Sequence, residues 1–152
     1  MIHIVFVCLG NICRSPMAEG VMRDLITKEQ LSDKVTVDSA ATSRWEEGNP
    51  THPGTKIRLA KEGISVKGMH SRPLESKDLD ATYIVGMDDS NIENIETFVN
   101  GRSTGTISKL LAFAGRNDDI ADPYFTEDFD TAYADVYEGC QALMTLIKEE
   151  LK

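Results

Sequence analysis

A cysteine and an arginine separated by five residues are the most reactive pair of side chains in this sequence. They belong to one continuous octet, Cys8-Leu9-Gly10-Asn11-Ile12-Cys13-Arg14-Ser15. A thiolate is a strong nucleophile, and the planar guanidinium group of arginine pairs well with phosphate oxygens. The octet therefore predicts a site in which Cys8 attacks phosphorus while Arg14 binds the oxygens of the same phosphoryl group.

The segments on either side of the octet favour an anion-binding loop. The apolar run Ile4–Val7 predicts a buried strand and Pro16 lies at the start of a helical pattern, so the octet connects a strand to a helix. Unpaired N–H groups at a helix start carry partial positive charge and bind anions. Gly10 and Asn11 tolerate positive φ, which lets the loop turn its amides inward. The backbone from Leu9 to Ser15 is then expected to surround a phosphate.

Composition limits the classes of protein to which this chain can belong. Its 152 residues suffice for a domain with its own core, and we expect residues 1–152 to form a single domain. The formal net charge is −9 and no basic run occurs, which argues against nucleic acid and anionic membranes as partners. A phosphate site in so acidic a protein must rely on local positive potential, namely Arg14 and oriented amides.

The sequence also indicates a compartment and argues against a metal site. No apolar stretch approaches the ~18 residues of a membrane span, and no signal peptide opens the chain. Three cysteines, an odd number without the spacing of a disulfide scaffold, favour the reducing cytoplasm. The histidines His3, His52 and His70 are far apart and lack ligand spacing, so we expect neither a metal nor another cofactor.

Strands that alternate with helices predict an α/β fold, with a parallel sheet covered by helices on both faces. Four strands are predicted, at Ile2–Val7, Val35–Val37, Tyr83–Met87 and Ile107–Leu111. Helices are predicted from an N-cap at Ser15 to Lys28, from Pro53 to a stop at Gly63, at Leu74–Leu79, from Asp88, and from Thr126 or Glu127 onward. A polar loop is expected at Arg116–Phe125.

The octet and four further motifs resemble the low-molecular-weight protein tyrosine phosphatases. The octet matches the family's C-x5-R-S signature, and the other matches are Asp38-Ser39-Ala40-Ala41-Thr42-Ser43, Gly48-Asn49-Pro50, Met87-Asp88 and Asp122-Pro123-Tyr124. The resemblance implies a three-layer, flavodoxin-like fold with a four-stranded parallel sheet in the order 2-1-3-4. It further implies hydrolysis of phosphotyrosine and small aryl phosphates through a cysteinyl-phosphate intermediate.

The resemblance also assigns roles outside the reactive pair. It implies that Asp122 protonates the departing phenol and later serves as the base for water. It implies that Asn11, Ser15, Ser39 and His70 hold the loop in shape by hydrogen bonds. Asn11 and Ser39 have an independent rationale, because short polar side chains can support a strained loop, whereas His70 has none from the sequence alone.

Aromatic residues are expected around the substrate pocket. Residue type alone leaves Trp45 equally compatible with packing and with a pocket wall; the resemblance implies that Trp45 and Tyr124 form opposite walls. Ile12 narrows and dries the pocket, which favours a flat aryl phosphate. The expected partner is a tyrosine-phosphorylated protein, with phosphate, sulfate or vanadate as an active-site anion. The chain is expected to act as a monomer or weak dimer.

The remaining thiols and aromatic positions carry secondary predictions. In the resembled family a second loop cysteine, here Cys13, traps an oxidised nucleophile as a reversible disulfide; the alternative is a small packing residue. Cys140 falls in an apolar helical stripe and is expected to be a core thiol. Some relatives carry two adjacent tyrosines that can be phosphorylated, but Phe125 replaces the second, so such regulation would rest on Tyr124 alone.

Three other functions are compatible with parts of the pattern. Arsenate reduction on the same fold needs a relay of further thiols, and no cysteine lies in the region Tyr83–Asn91. Protein arginine phosphatases resemble this chain, but they carry a smaller polar residue at the position of Ile12. A phosphate-binding or redox-sensing module without catalysis would use the same loop and show no turnover to lose when Cys8 is replaced.

Overall fold

Four parallel strands form the centre of the protein. The computed structural model describes residues 1–152. The strands are β1 (Ile2–Cys8), β2 (Val35–Ala41), β3 (Tyr83–Gly86) and β4 (Thr106–Lys109). They lie in the order β2-β1-β3-β4 with every pairing parallel, which confirms the predicted topology. Strand β2 is longer than predicted, because its polar end pairs with β1 as far as Cys8 opposite Ala41.

Five α-helices and two 3-10 helices connect and follow the strands. The α-helices are α1 (Arg14–Lys28), α2 (Pro53–Ala60), α3 (Asp89–Val99), α4 (Pro123–Thr126) and α5 (Phe129–Glu150). The 3-10 helices are Ser76–Asp80 and Leu110–Ala114. None of the helices combines the length and the apolar character needed to cross a bilayer.

Two helix starts differ from the prediction, each for a local reason. Cys13, not Ser15, is the N-cap of α1, because the Ser15 hydroxyl is engaged inside the loop with Cys8. The last helix begins at Phe129, because the Asp128 side chain accepts a hydrogen bond from the Thr131 amide and caps it there. The predicted loop at Arg116–Phe125 also ends in the short helix α4.

The sheet separates two apolar cores, and the result is the predicted three-layer architecture. Ile4 and Phe6 of β1 face a larger core with α1 and α5, whereas Val5 and Val7 face a smaller core with α3. All four side chains have no exposed surface. Burial on both faces explains why β1 is a continuous apolar run rather than an alternating pattern.

The carboxyl edge of the sheet brings together segments that are distant in sequence. Residues 8–15 follow β1, Asp88 follows β3, and residues 115–122 come after β4 and its 3-10 helix. The chain passes from β1 to β2 on one side and then crosses to β3 on the other side of β1, so the loop after β1 lies at the switch point of the sheet. Parallel strands therefore place the reactive octet and the Asp122 segment at one edge.

Gly139 lies in α5 against the second 3-10 helix, where a side chain would collide with Leu110. A Cβ atom at position 139 would lie 2.5 Å from Leu110 Cγ and 3.1 Å from the Leu110 carbonyl oxygen. We expect Gly139→Ala to lower the free energy of unfolding, because overpacking costs about 1–3 kcal/mol, more than the helix-propensity gain of at most ~1 kcal/mol. Thermal unfolding measures the difference.

The matched control is Gln141→Ala, an exposed position on the same helix. Its free energy of unfolding should stay within about 0.5 kcal/mol of the wild type. A melting temperature for Gly139→Ala above that of the wild type would contradict the close packing of α5 on Leu110.

Candidate active site

The loop of residues 8–15, which we call the Cys8 loop, turns its carbonyl groups toward the surrounding protein. Four carbonyls of residues 9–13 accept hydrogen bonds of 2.8–3.1 Å from outside the loop: Leu9 from the Ser43 hydroxyl, Gly10 from the Ser71 hydroxyl, Ile12 from the His52 amide and Cys13 from the Thr55 hydroxyl. Because trans peptide units place N–H and C=O on opposite sides, carbonyls that face outward favour amides that face inward.

Most amides of the Cys8 loop are free of protein partners. The N–H groups of Leu9, Gly10, Ile12, Cys13 and Arg14 donate to no backbone or side-chain acceptor. Successive unpartnered amides at the start of a helix form a nest that binds an anion. The loop therefore has the donor set required to surround the oxygens of a phosphate.

The Cys8 sulfur lies among hydrogen-bond donors. It is 3.3 Å from the Asn11 amide nitrogen, 3.4 Å from the Ser15 amide nitrogen and 3.0 Å from Ser15 Oγ. Because Ser15 Oγ accepts a hydrogen bond from Asn11 Nδ2, its own proton is free to point toward the sulfur. Three hydrogen-bond donors are therefore directed at a buried sulfur.

Asn11 supports the loop from its centre. Its φ of 57° is in the left-handed region, as predicted for this position, and Gly10 does not share that conformation. Its Nδ2 donates to Ser15 Oγ at 2.7 Å and to Ser39 Oγ at 3.0 Å, while its Oδ1 accepts from the Arg72 amide at 3.1 Å. One buried amide side chain thus ties the Cys8 loop to β2 and to residue 72.

The family resemblance implied that His70 supports the loop, but in the structure its neighbours make those contacts. His70 is exposed, and its Nδ1 lies 3.2 Å from the Gly68 carbonyl oxygen within its own turn. Ser71 and Arg72 make the hydrogen bonds to the Cys8 loop instead. A shift of one or two residues along an extended connector changes which group faces the loop, and the sequence does not encode that register.

Ser39 extends the support to a buried acid that sequence reasoning missed. Its hydroxyl donates to Glu19 on α1, and Glu19 also pairs with Arg23 one turn later. Glu19 is 6% exposed. Four side chains, from Glu19 through Ser39 and Asn11 to Ser15, therefore form a hydrogen-bonded chain behind the Cys8 sulfur.

Arg14 is a buried cation with carbonyl and carboxylate partners. Its NH1 donates to Asp88 Oδ2 at 2.7 Å and to the Ile120 carbonyl at 2.8 Å, and its NH2 lies 3.5 Å from Asp122 Oδ2. Burial alone would lower the pKa of Arg14, but the charge of Cys8 together with Asp88 and Asp122 raises it above its ordinary value. The guanidinium therefore stays charged, and its buried Nε has no protein partner and can meet an oxyanion.

Asp88 is a functional candidate that sequence reasoning quoted as part of a motif without giving it a role. Its Oδ1 accepts a hydrogen bond from the Asn91 amide and caps α3, while its Oδ2 orients Arg14. The sequence signal that could have identified Asp88 is its N-cap pattern, since an aspartate directly after a buried strand often starts the next helix. The pairing with Arg14 depends on how β1 and β3 align.

Asp122 lies beside the Cys8 loop at the start of α4. Its Oδ1 accepts a hydrogen bond from the Tyr124 amide at 3.0 Å, which caps the helix and leaves Oδ2 near Arg14. Its side chain is 21% exposed, so it can meet both the loop and an incoming ligand. Asp122 and Cys8 line the same cleft.

The cleft above the Cys8 loop is narrow and mostly apolar. Its volume is about 120 Å³, similar in scale to the ~150 Å³ apolar cavity that holds a benzene molecule. The predicted pocket residues Ile12, Trp45 and Tyr124 all line it, and sequence reasoning missed two more, Glu46 and Phe125. The three aromatic side chains are exposed, Trp45 most of all at 79%. An aromatic rim on a polar floor suits an aryl oxyanion ester.

His52 connects the cleft to the loop. Its amide donates to the Ile12 carbonyl, and its Nδ1 accepts from the Gly54 amide to cap α2. Its ring packs edge-on against Tyr124, at 6.0 Å between centroids, and stacks on Phe129 at 5.4 Å. His52 therefore braces the Tyr124 side of the cleft, a role that sequence reasoning did not assign to it.

The two remaining cysteines are neutral, buried thiols. Burial raises the pKa of Cys13 to about 12, with the charges of Asp122 and Cys8 adding to the effect. Burial also raises the pKa of Cys140, whose sulfur faces the Ala18 carbonyl in the core between α5 and α1. None of the three cysteines is in a disulfide bond, and Cys140 is the core thiol that its stripe predicted.

Comparison with known proteins agrees with this geometry. Residues 3–152 match the model of the family described as low molecular weight phosphotyrosine protein phosphatase. The chain is 42% identical to the low molecular weight protein-tyrosine-phosphatase YfkJ of Bacillus subtilis, over 99% of this chain and 98% of that protein. It is also 42% identical to PtpA of Staphylococcus epidermidis, a protein-tyrosine-phosphatase, over 99% and 96% of the two chains.

Solved structures show the same similarity. The crystal structure of YfkJ superimposes with a TM-score of 0.94 and covers 100% of this chain and 98% of its own. The crystal structure of a Drosophila arginine phosphatase, 30% identical, superimposes with a TM-score of 0.89 over 95% of this chain and 97% of its own. With a family model that spans nearly every residue, the chain belongs to the low molecular weight phosphotyrosine protein phosphatases.

Proposed function

We propose that residues 1–152 act as one protein-tyrosine-phosphatase domain that hydrolyses phosphotyrosine and small aryl phosphates. The observation that carries the proposal is the Cys8 sulfur beneath a nest of unpartnered amides, in the same cleft as Asp122. Family membership supports a phosphatase with a cysteine nucleophile. The residue roles below are part of the proposal.

In the first step, the Cys8 thiolate attacks phosphorus and forms a P–S bond while the bond from phosphorus to the aryl oxygen breaks. Arg14 and the loop amides bind the three equatorial oxygens, whose charge grows in the transition state. Asp122 gives its proton to the departing phenolic oxygen, so the product leaves as a neutral phenol. The phosphoryl group remains on sulfur as cysteinyl phosphate.

In the second step, Asp122 accepts a proton from water as the water oxygen attacks phosphorus. The P–S bond breaks, its electron pair returns to sulfur to regenerate the thiolate, and inorganic phosphate forms and leaves the site. Ser15 stabilises sulfur as the leaving group, because its hydroxyl lies 3.0 Å from Cys8 Sγ. The same donors thus serve both steps, and Asn11 and Ser39 keep them in place.

The cleft favours a tyrosine-phosphorylated protein as the substrate. Ile12 is half-buried in the cleft, and Trp45 and Tyr124 offer faces and edges to an aromatic ring. Phosphoarginine would place a polar guanidinium group against Ile12 without a hydrogen-bond partner from that side chain, which costs binding energy. Phosphate, sulfate and vanadate are the anions expected to bind the Cys8 loop.

We also propose a cytoplasmic location and action as a monomer or weak dimer. Free thiols at all three cysteines fit a reducing compartment. Every proposed catalytic group comes from one chain, so the site needs no partner subunit for completion. The thiol relay of an arsenate reductase is disfavoured, because Cys140 is fully buried in the core.

Substitutions at Cys8 and Asp122 test the proposed function directly. We expect Cys8→Ser to abolish turnover of a phosphotyrosine peptide, and Asp122→Asn to reduce it by about 10²–10⁴-fold because the proton donor is lost. Release of inorganic phosphate is the measurement. Asp118→Asn is the matched control, since Asp118 lies on the same loop but pairs with Arg116 on the surface. Unchanged turnover in Cys8→Ser would exclude Cys8 as the nucleophile, and a wild type that releases no phosphate would be a binding module only.

Arg14→Lys tests whether the forked guanidinium is needed in addition to its charge. Lysine keeps the charge but lacks the planar fork that presents two parallel N–H donors to phosphate oxygens while another N–H binds Asp88. We expect kcat to fall by about 10²-fold or more, comparable to the loss of an oxyanion donor. Steady-state kinetics with p-nitrophenyl phosphate measures it, with Arg116→Lys as the surface control. A loss confined to KM would contradict the proposed transition-state role.

Ile12→Thr tests the basis of substrate choice. We expect the wild type to prefer a phosphotyrosine peptide over a matched phosphoarginine peptide by kcat/KM. Threonine adds a hydroxyl and removes apolar contact, so we expect the preference to fall by about tenfold. The two peptides are compared in one phosphate-release assay. A wild-type preference for phosphoarginine would contradict the assignment of an aryl substrate.

A further inference from the structure

Lys109 is a buried lysine near the candidate site that the proposed mechanism does not use. Its side chain is only 8% exposed. It is the last residue of β4 and pairs with Gly86, the last residue of β3, so it lies at the carboxyl edge of the sheet. We propose that Lys109 is a positioning residue that holds residues 115–122, the Asp122 loop, in place for proton transfer by Asp122. This inference rests on the proposed function.

Three oxygen atoms from different residues surround the Lys109 ammonium group. Nζ lies 2.9 Å from the Asn117 carbonyl oxygen, 3.0 Å from Asp119 Oδ1 and 2.9 Å from Asp89 Oδ1. An ammonium group has three donors and no acceptor, so Lys109 can make these two hydrogen bonds and the ion pair with Asp89 together. Two acceptors belong to the Asp122 loop and one to the first residue of α3, so Lys109 fastens the loop to that helix.

The Lys109 ammonium group stays protonated. Its hydrogen bond to Asp89, reinforced by Asp119, outweighs the cost of burial and raises its pKa above the ordinary value. Without the ammonium group, two carboxylates that both lie within 3.0 Å of Nζ would face each other uncompensated. Their repulsion would push the Asp122 loop away from α3.

The contacts of Lys109 lie close enough to Asp122 to control its position. Asp119 also accepts a hydrogen bond from the Asp89 amide, and the next residue, Ile120, donates to the Met87 carbonyl and accepts from Arg14. Two residues of chain span at most about 7 Å, so the anchors at 119 and 120 restrict where Asp122 can lie. A misplacement of 1 Å in a reacting group can cost about 10²-fold in rate.

Dependence on the leaving group separates a positioning role from a merely structural one. A general acid matters for the basic phenolate of tyrosine and matters little for the weakly basic p-nitrophenolate. We expect Lys109→Met to lower kcat/KM for a phosphotyrosine peptide by about tenfold and for p-nitrophenyl phosphate by less than about twofold. Lys148→Met, which removes an exposed lysine paired with Glu29, is the control and should change neither.

A second variant, Asp119→Ala, keeps the test valid if Lys109→Met does not fold. Asp119→Ala removes one carboxylate partner of the Lys109 ammonium group but leaves the buried lysine in place. Because the Asp119 side chain is half-exposed, its loss should disturb the core little. We expect the same selective loss at about threefold, with the melting temperature recorded for both variants. Equal losses for the two substrates in both variants would overturn the inference.

The double variant Lys109→Met/Asp122→Asn completes the test. If Lys109 acts through Asp122, its substitution should have no further effect on the phosphotyrosine peptide once Asp122 is changed. Multiplicative losses would overturn the inference while leaving the proposed function intact. If Asp122→Asn itself lowered kcat/KM for both substrates equally, the proposed general acid would be wrong and the inference would fail with it.

Discussion

The Cys8 loop can surround an anion because the protein around it binds its carbonyl oxygens. Donors from Ser43, His52, Thr55 and Ser71 hold four of these carbonyls outward. If they did not, the carbonyl dipoles would compete with the amides for the interior of the loop and repel a phosphate. The other features of the site, including the hydrogen-bonded sulfur and the charged cleft floor, depend on this arrangement, in which carbonyl groups face outward and amide groups face inward.

The inward-facing amides also explain how a protein with a formal net charge of −9 can bind a phosphate. Partial positive charges on five free amides and the full charge of Arg14 act at short range inside a buried site, where solvent screens them little. The acidic surface acts at longer range and is screened by salt. Local orientation therefore outweighs overall charge at the point where the substrate binds.

Two buried cations organise the Asp122 loop. Arg14 binds the Ile120 carbonyl from the side of β1, and Lys109 binds Asn117 and Asp119 from the side of β4. Each also pairs with an aspartate at the start of α3, Asp88 for Arg14 and Asp89 for Lys109. A segment without regular structure is thus held by charge on both flanks, which is how a loop can present a carboxyl group as reproducibly as a helix would.

The chemistry and the order of the elements were readable from the sequence, because both depend on local patterns. The octet contains the proposed nucleophile and cation, and the apolar run before it predicts a buried strand that the structure confirms. The tertiary structure decided which groups meet. The Ser71 hydroxyl donates to the Gly10 carbonyl across 61 positions, where the family resemblance implied His70, and Lys109 has its partners on two other segments. Such pairings depend on strand register and on ångström-scale side-chain placement, which only the packing of distant segments determines.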